Sequence, residues 1–246
     1  MSDYVWNPRF FKDHYESQCM ENRIVGRQEQ RKLHYLLKRI NGLKNLDVID
    51  LGCGYGRLSK VLLPYAKSII GSDINEANLD FAHSYVGDSR FTTKHLDLSI
   101  GRLPFDDASA DLIVMDNVLM FIPTTIQSIL MLEINRILKE GGVAYFNFPN
   151  SWNPFNYLQD IKYRINSIYH SVPRFHRLGY MSYLRKLKLL DWDFEVYGET
   201  FHVKIMGKRK PSKFMQSTLS KMDEKLHDTP LKVFMSGCFV IASKRA

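Results

Sequence analysis

The sequence of 246 residues holds only three cysteines, Cys19, Cys53 and Cys238. An odd number so widely spaced gives no disulfide framework, and a reducing, cytoplasmic setting is expected. No apolar run approaches the roughly 18 residues of a membrane helix. The start, Met1-Ser2-Asp3-Tyr4-Val5-Trp6, lacks the basic-then-apolar order of a secretory leader. No His/Cys group has zinc spacing, and no carboxylate run beyond Asp116-Asn117 suits magnesium, so no metal is expected. Internal repeats and low-complexity tracts are missing as well. A composition 45% hydrophobic and 24% charged then predicts one globular domain over 1–246.

The informative stretch is Val48-Ile49-Asp50-Leu51-Gly52-Cys53-Gly54-Tyr55-Gly56-Arg57-Leu58. A short apolar run reads as a buried strand, and glycines on alternate positions mark a turn whose backbone approaches something closely. Strand, glycine turn and helix together place a ligand at the turn, against the helix N-terminus. The spacing is not the G-x-G-x-x-G of dinucleotide sites, which argues against NAD. Further strands are expected near 68–73, 90–95, 110–116, 143–148, 192–200 and 233–242. Helices are expected near 27–41, 56–65, 75–86, 124–139, 178–190 and 212–226, with one or two more in 3–23. Glu140-Gly141-Gly142 reads as the end of the 124–139 helix. The alternation predicts an α/β fold, a parallel sheet with helices on both faces.

Charge is divided unevenly. Residues 1–150 carry 17 Lys and Arg against 18 Asp and Glu, whereas 151–246 carry 17 against 8. The later part, aromatic as well as basic in 151–177 and basic again in 202–230, would concentrate anionic ligands, or else be a solvated face.

Four motifs in order resemble those of the class I S-adenosylmethionine (SAM)-dependent methyltransferases, of the small-molecule, type 11-like group. They are the glycine turn, Gly71-Ser72-Asp73-Ile74, Leu96-Asp97-Leu98 with Leu103-Pro104-Phe105, and Leu138-Lys139-Glu140-Gly141-Gly142. The resemblance implies a Rossmann-like, doubly wound, seven-stranded and mostly parallel sheet with an antiparallel last strand. N-terminal helices (1–45) and a helical, basic cap from 151–177 and 202–230 would surround a cofactor-binding core at 46–150. It implies SAM as cofactor, with S-adenosylhomocysteine as product. Gly52, Cys53, Gly54 and Gly56 would pass close to its methionine part, and Asp50 would face the amino end or orient the turn. Asp73, at a strand end, would accept from both ribose hydroxyls, or merely cap the next helix. Ile74 would lie on the adenine face, Asp97 would accept from the adenine amino group, and Leu98 would offer its N–H. Asp116 and Asn117 would stand beside the transferred methyl, or only cap a helix.

Where relatives often have histidines after the fourth strand, this chain has Met120 and Phe121. Alignment of the acceptor with the methyl then has to supply most of the rate. His176 and Tyr15, with His14, are the candidates for a proton-accepting catalytic group. The acceptor is expected to be a small molecule, O- or N-methylated, and anionic, phosphorylated or sugar-containing. An RNA methyltransferase or a non-catalytic SAM-binding protein are the alternatives. Nucleic acid is disfavoured because strand four lacks the Asn/Asp-Pro-Pro-aromatic signature of base-amino methylation.

Overall fold

The computed structural model describes residues 12–13, 23–151, 153, 179–190, 192–199, 213–235 and 237–245. Element order is α1 (Arg23–Arg39), β1 (Leu46–Leu51), α2 (Arg57–Leu62), β2 (Ala66–Asp73), α3 (Glu76–Val86) and β3 (Phe91–His95). There follow β4 (Ala110–Met115), α4 (Thr124–Ile137), β5 (Leu138–Pro149), α5 (Tyr180–Lys188), β6 (Trp192–Gly198), α6 (Lys213–Leu226) and β7 (Gly237–Lys244). The seven strands form one sheet in the order β3-β2-β1-β4-β5-β7-β6. β7 runs antiparallel to both neighbours, and the other pairings are parallel. The expected fold class is observed.

Successive strand residues face opposite sides, so each buried strand feeds two layers. Val48, Leu112 and Val114 join Leu36, Ile40, Leu58, Leu62 and Val86 beneath α1, α2 and α3. Ile49, Ile113 and Met115 join Leu130, Ile134, Tyr183 and Leu187 beneath α4 and α5. Local chemistry places the ends: Asn75 caps α3 by accepting from the Ala77 N–H at 2.9 Å, and Gly87 closes it in the left-handed conformation. Among the described residues no helix is long and apolar enough to cross a membrane.

Two expected boundaries move. The helix over 124–139 ends at Ile137, and Leu138 already pairs with Ala110 in the sheet. Gly141 and Gly142 therefore lie in a strand irregularity, where the register jumps from Ala110/Leu138 to Leu112/Val143. Lys139 is drawn there by Asp47 and Asp111, at 2.9 and 2.8 Å, instead of by a helix dipole. The last strand starts at Gly237, not 233, because Pro230 to Phe234 form a 3-10 turn opened by Thr229, whose hydroxyl accepts from the Leu231 N–H. The helical expectation within 3–23 and the insertion over 151–177 fall almost wholly outside the described residues.

One polar side chain carries much of the far layer. Buried Gln127 donates through Nε2 to the carbonyls of Leu119 (3.0 Å) and Ile122 (2.9 Å), and accepts from the Tyr183 hydroxyl at 3.1 Å. It thereby ties the loop after β4 to α4 and α5. Gln127→Met removes three buried hydrogen bonds at similar volume, and about 3 kcal/mol of stability should be lost in urea unfolding. An unchanged midpoint would show that the loop does not depend on this amide.

Candidate cofactor site

The strand order reverses between β1 and β4, so the loops after these strands diverge and leave a crevice at the carboxyl edge. A cavity of about 570 Å³ lies there, within the size range of small-molecule sites. The turn after β1 forms its floor, with Gly52, Gly54 and Gly56 at φ 71°, 55° and 85°. At Gly52 a Cβ would run into the Val118 side chain. A larger residue there would be strained and would push into the cavity wall.

Of the eleven residues assigned to the cofactor from sequence, ten line this one cavity: Asp50, Gly52, Cys53, Gly54, Asp73, Ile74, Asp97, Leu98, Asp116 and Asn117. Gly56 does not. It faces α3, where a Cβ would come within 2.7 Å of Val86 Cγ2, so its part is to let α2 start close to α3. His176, Tyr15 and His14 lie outside the described residues. The sequence reading missed Tyr55, Arg57, Asn75, Asn78, Val118 and Phe121. Most of these directly follow a motif residue, and neighbourhood in sequence was their only signal.

The lining is acidic. Asp50, Asp73, Asp97 and Asp116 face it, and Arg57 is the sole cationic side chain among the described lining residues. Asp73 binds the two motifs together: its Oδ2 accepts from the Gly54 N–H at 3.0 Å, and its Oδ1 from the Asn75 N–H at 2.9 Å. Oδ1 also accepts from Asn78 Nδ2 at 3.2 Å, so Oδ2 keeps room for a further donor. Asp97 receives the Ser99 N–H and hydroxyl on Oδ1, at 2.8 and 2.7 Å. Cys53 is buried, and burial pushes its thiol well above its usual range, so it is not a nucleophile here.

Asp116 ends in a buried ion cluster that the sequence reading did not assemble. Lys32, 2% exposed, places Nζ 2.8 Å from Asp116 Oδ1 and 3.0 Å from Glu29 Oε1. Arg57 Nη2 lies 2.5 Å from Asp116 Oδ2, and the Tyr145 hydroxyl donates to Oδ1 at 3.1 Å. Burial alone would raise the Asp116 pKa, but the Lys32 and Arg57 charges outweigh it and hold the carboxyl below its usual range. Burial would likewise lower Lys32, yet Asp116 and Glu29 hold it well above the ordinary lysine value. Asn117 (φ 60°) is fixed beside this cluster by Asn147, which accepts from its N–H at 2.6 Å and donates to its Oδ1 at 2.7 Å.

Asp50 behaves oppositely. Burial pushes its pKa up to about 6, against the Ser59 hydroxyl that donates to Oδ2 at 2.7 Å and against the Arg57 charge. A folded pKa above the ordinary 3.8 means that the folded state holds the proton more tightly. Its contribution to stability is therefore full below about pH 4 and fades as pH rises to about 6. Asp50→Asn abolishes that loss. Relative to the parent, the variant should gain about 3 kcal/mol of unfolding free energy between pH 4 and pH 7. Parallel urea curves at the two pH values check this, and a constant difference would refute it.

Residues 49–146 match the family model "Methyltransferase domain". A protein of Mycolicibacterium smegmatis described as a probable SAM-dependent methyltransferase is 33% identical over 104 residues, covering 42% of this chain and 38% of that protein. A ubiquinone biosynthesis O-methyltransferase of Nitrosomonas europaea is 28% identical over 134 residues, covering 53% and 54%. The chain thus spans about half the length, or less, of the curated relatives it matches. A crystal structure of a SAM-dependent methyltransferase from Mesorhizobium loti superposes with a TM-score of 0.60 at 19% identity, covering 85% of this chain and 96% of that one. In sheet order, in motif positions and in these likenesses, the chain is similar to the class I S-adenosylmethionine-dependent methyltransferases, and residues 49–146 match their methyltransferase domain.

Proposed function

We propose that this chain binds SAM in the cavity at the carboxyl edge of β1, β2 and β4 and transfers its methyl to a small-molecule acceptor. The observation that carries the reading is electrostatic: four aspartates and one arginine face a single cavity at the switch point of the sheet. A pyrophosphate-bearing dinucleotide would meet like charge there. A ligand with a sulfonium, an ammonium and one carboxylate has a net positive charge and fits.

Bound SAM supplies a methyl group made electrophilic by the sulfonium that carries it. The chain's own residues hold and aim it. In this reading Asp73 accepts from the ribose hydroxyls, with the capacity left on Oδ2 beside Gly54 and with Oδ1 as the Asn78 amide gives way. Ile74, more than half exposed at the cavity, covers the adenine face. Asp97 and the Leu98 N–H read the adenine edge. The turn at 52–54, with no Cβ in the way, brings the backbone close to the methionine part. Asp116 and Asn117, clamped from behind, mark the methyl-bearing end. Rate enhancement comes mainly from alignment. The positive charge of 151–177 and 202–230 favours an anionic or phosphorylated acceptor. His176 and Tyr15 are the proposed proton acceptors.

Calorimetry tests the cofactor assignment directly. The parent protein should bind SAM, and Asp73→Asn should weaken binding about 10- to 100-fold, the worth of one or two charge-assisted hydrogen bonds. No SAM binding by the parent, or undiminished binding by the variant, would overturn the assignment.

A further inference from the structure

Not every large apolar side chain of α4 and α5 joins the layer beneath them. Leu130, Ile134, Tyr183 and Leu187 are buried there, yet the outer faces of both helices are apolar too. Ile129 and Leu132 stand on the outer stripe of α4, and Leu132 is 58% exposed. Met181 is exposed on α5, and Leu189, just past its end, is 84% exposed. Apolar residues scattered singly over a surface need no explanation. These four share one face, because the two helices lie side by side. The Tyr183 hydroxyl donates to Gln127 at 3.1 Å, Lys186 Nζ to Ser128, and Trp192 Nε1 to Asn135 at 2.7 Å. Contacts that advance together along both segments mean that α4 and α5 run in the same direction.

Cations stand between the apolar groups. Arg185 and Lys188 are exposed on α5, four and seven positions after Met181, and Lys186 reaches across to α4. α5 contains no acidic residue, and the single acid of α4, Glu133, is engaged by Arg136 at 2.7 Å. The face is therefore apolar and positive together.

Its position connects it with the cavity. α4 starts at Thr124, immediately after Phe121, Ile122 and Pro123, which line the cavity. Since α5 runs the same way, the face begins at the cavity mouth and extends from it, with exposed Phe121 at the junction.

We propose that this face rests on an anionic lipid surface. Ile129, Leu132, Met181 and Leu189 enter the headgroup boundary, and Arg185 and Lys188 meet lipid phosphates. Contact is peripheral, since no described helix can cross a bilayer. The cavity mouth then lies at the membrane, within reach of an amphiphilic acceptor held there. Other occupants fit this chemistry less well. A second copy docked through the same face would set Arg185, Lys186 and Lys188 against their own counterparts. Protein interfaces favour Trp, Tyr and Arg and are poor in lysine. Lysine beside leucine suits phosphate above an apolar layer. Lipid binding does not depend on the SAM reading, so the two fail separately.

The experiment sediments the full chain with vesicles of phosphatidylcholine alone and of phosphatidylcholine mixed with phosphatidylglycerol. The chain should bind the mixed vesicles, stay in solution with the neutral ones, and be released by added salt. Leu132→Ser with Leu189→Ser should weaken binding about tenfold, as should Arg185→Gln with Lys188→Gln. All four side chains are exposed or lie outside the cavity lining, so unfolding midpoints and SAM affinity should stay at parent values. No binding to the mixed vesicles, equal binding to the neutral ones, or undiminished binding by either double variant would overturn the proposal. So would a parent dimer, seen by sedimentation velocity, that the leucine substitutions dissociate, because the face would then belong to a second copy.

Discussion

Lys32 meets Asp116, Glu29 and Glu199 in a space that water barely enters, and the rest of the site depends on that arrangement. The lysine comes from α1, Asp116 from the end of β4, Arg57 from the first turn of α2, Tyr145 from β5 and Glu199 from the end of β6. Five distant stretches of chain thus converge on charges that cannot be separated without leaving an unpaired ion in low dielectric, a loss on the order of 3–5 kcal/mol for either partner. The cluster is costly to form. Its value lies in position, since it presses α1 onto the sheet and fixes the direction of Asp116 and Asn117 at the cavity.

The glycine turn works from the opposite wall. Its backbone curls past Val118 because no Cβ intervenes, and its Gly54 N–H is held by Asp73. Two motifs 19 positions apart in sequence are thereby joined by one hydrogen bond. The turn brings shape, and the aspartates bring sign. Together they favour a compact cation over a phosphate chain.

Strand ends and glycine turns were legible in the sequence because they rest on local periodicity and on side-chain size. The misplaced boundaries have a different origin. Gly141-Gly142 resembles a helix stop, yet Asp47 and Asp111 on neighbouring strands hold Lys139 in the sheet, and pairing already begins at Leu138. The late start of β7 reflects Pro230 and the Thr229 cap, which turn the chain once more before pairing begins. The buried ions left one trace: Lys32 lies on the same stripe of α1 as Glu29, Leu36 and Ile40, all buried. A cation on an apolar stripe needs a partner, but nothing local says where that partner is.

The amino-acid sequence by itself determined the fold class, the turn after β1 and the strand-end acids, because hydrophobic period, glycine freedom and residue spacing act within a few residues. Ten of the cofactor residues that it picked out meet at one cavity. Only the tertiary structure decided how each acid is held. Asp116 is held ionised by two cations and Asp50 is pushed toward its neutral form. Glu199 accepts from the Asn147 amide and stands 3.9 Å from Lys32. Those differences arise from burial and from charges brought together across as many as 167 positions of chain, between Lys32 and Glu199. Such distances carry no periodic signal, and folding alone makes them short.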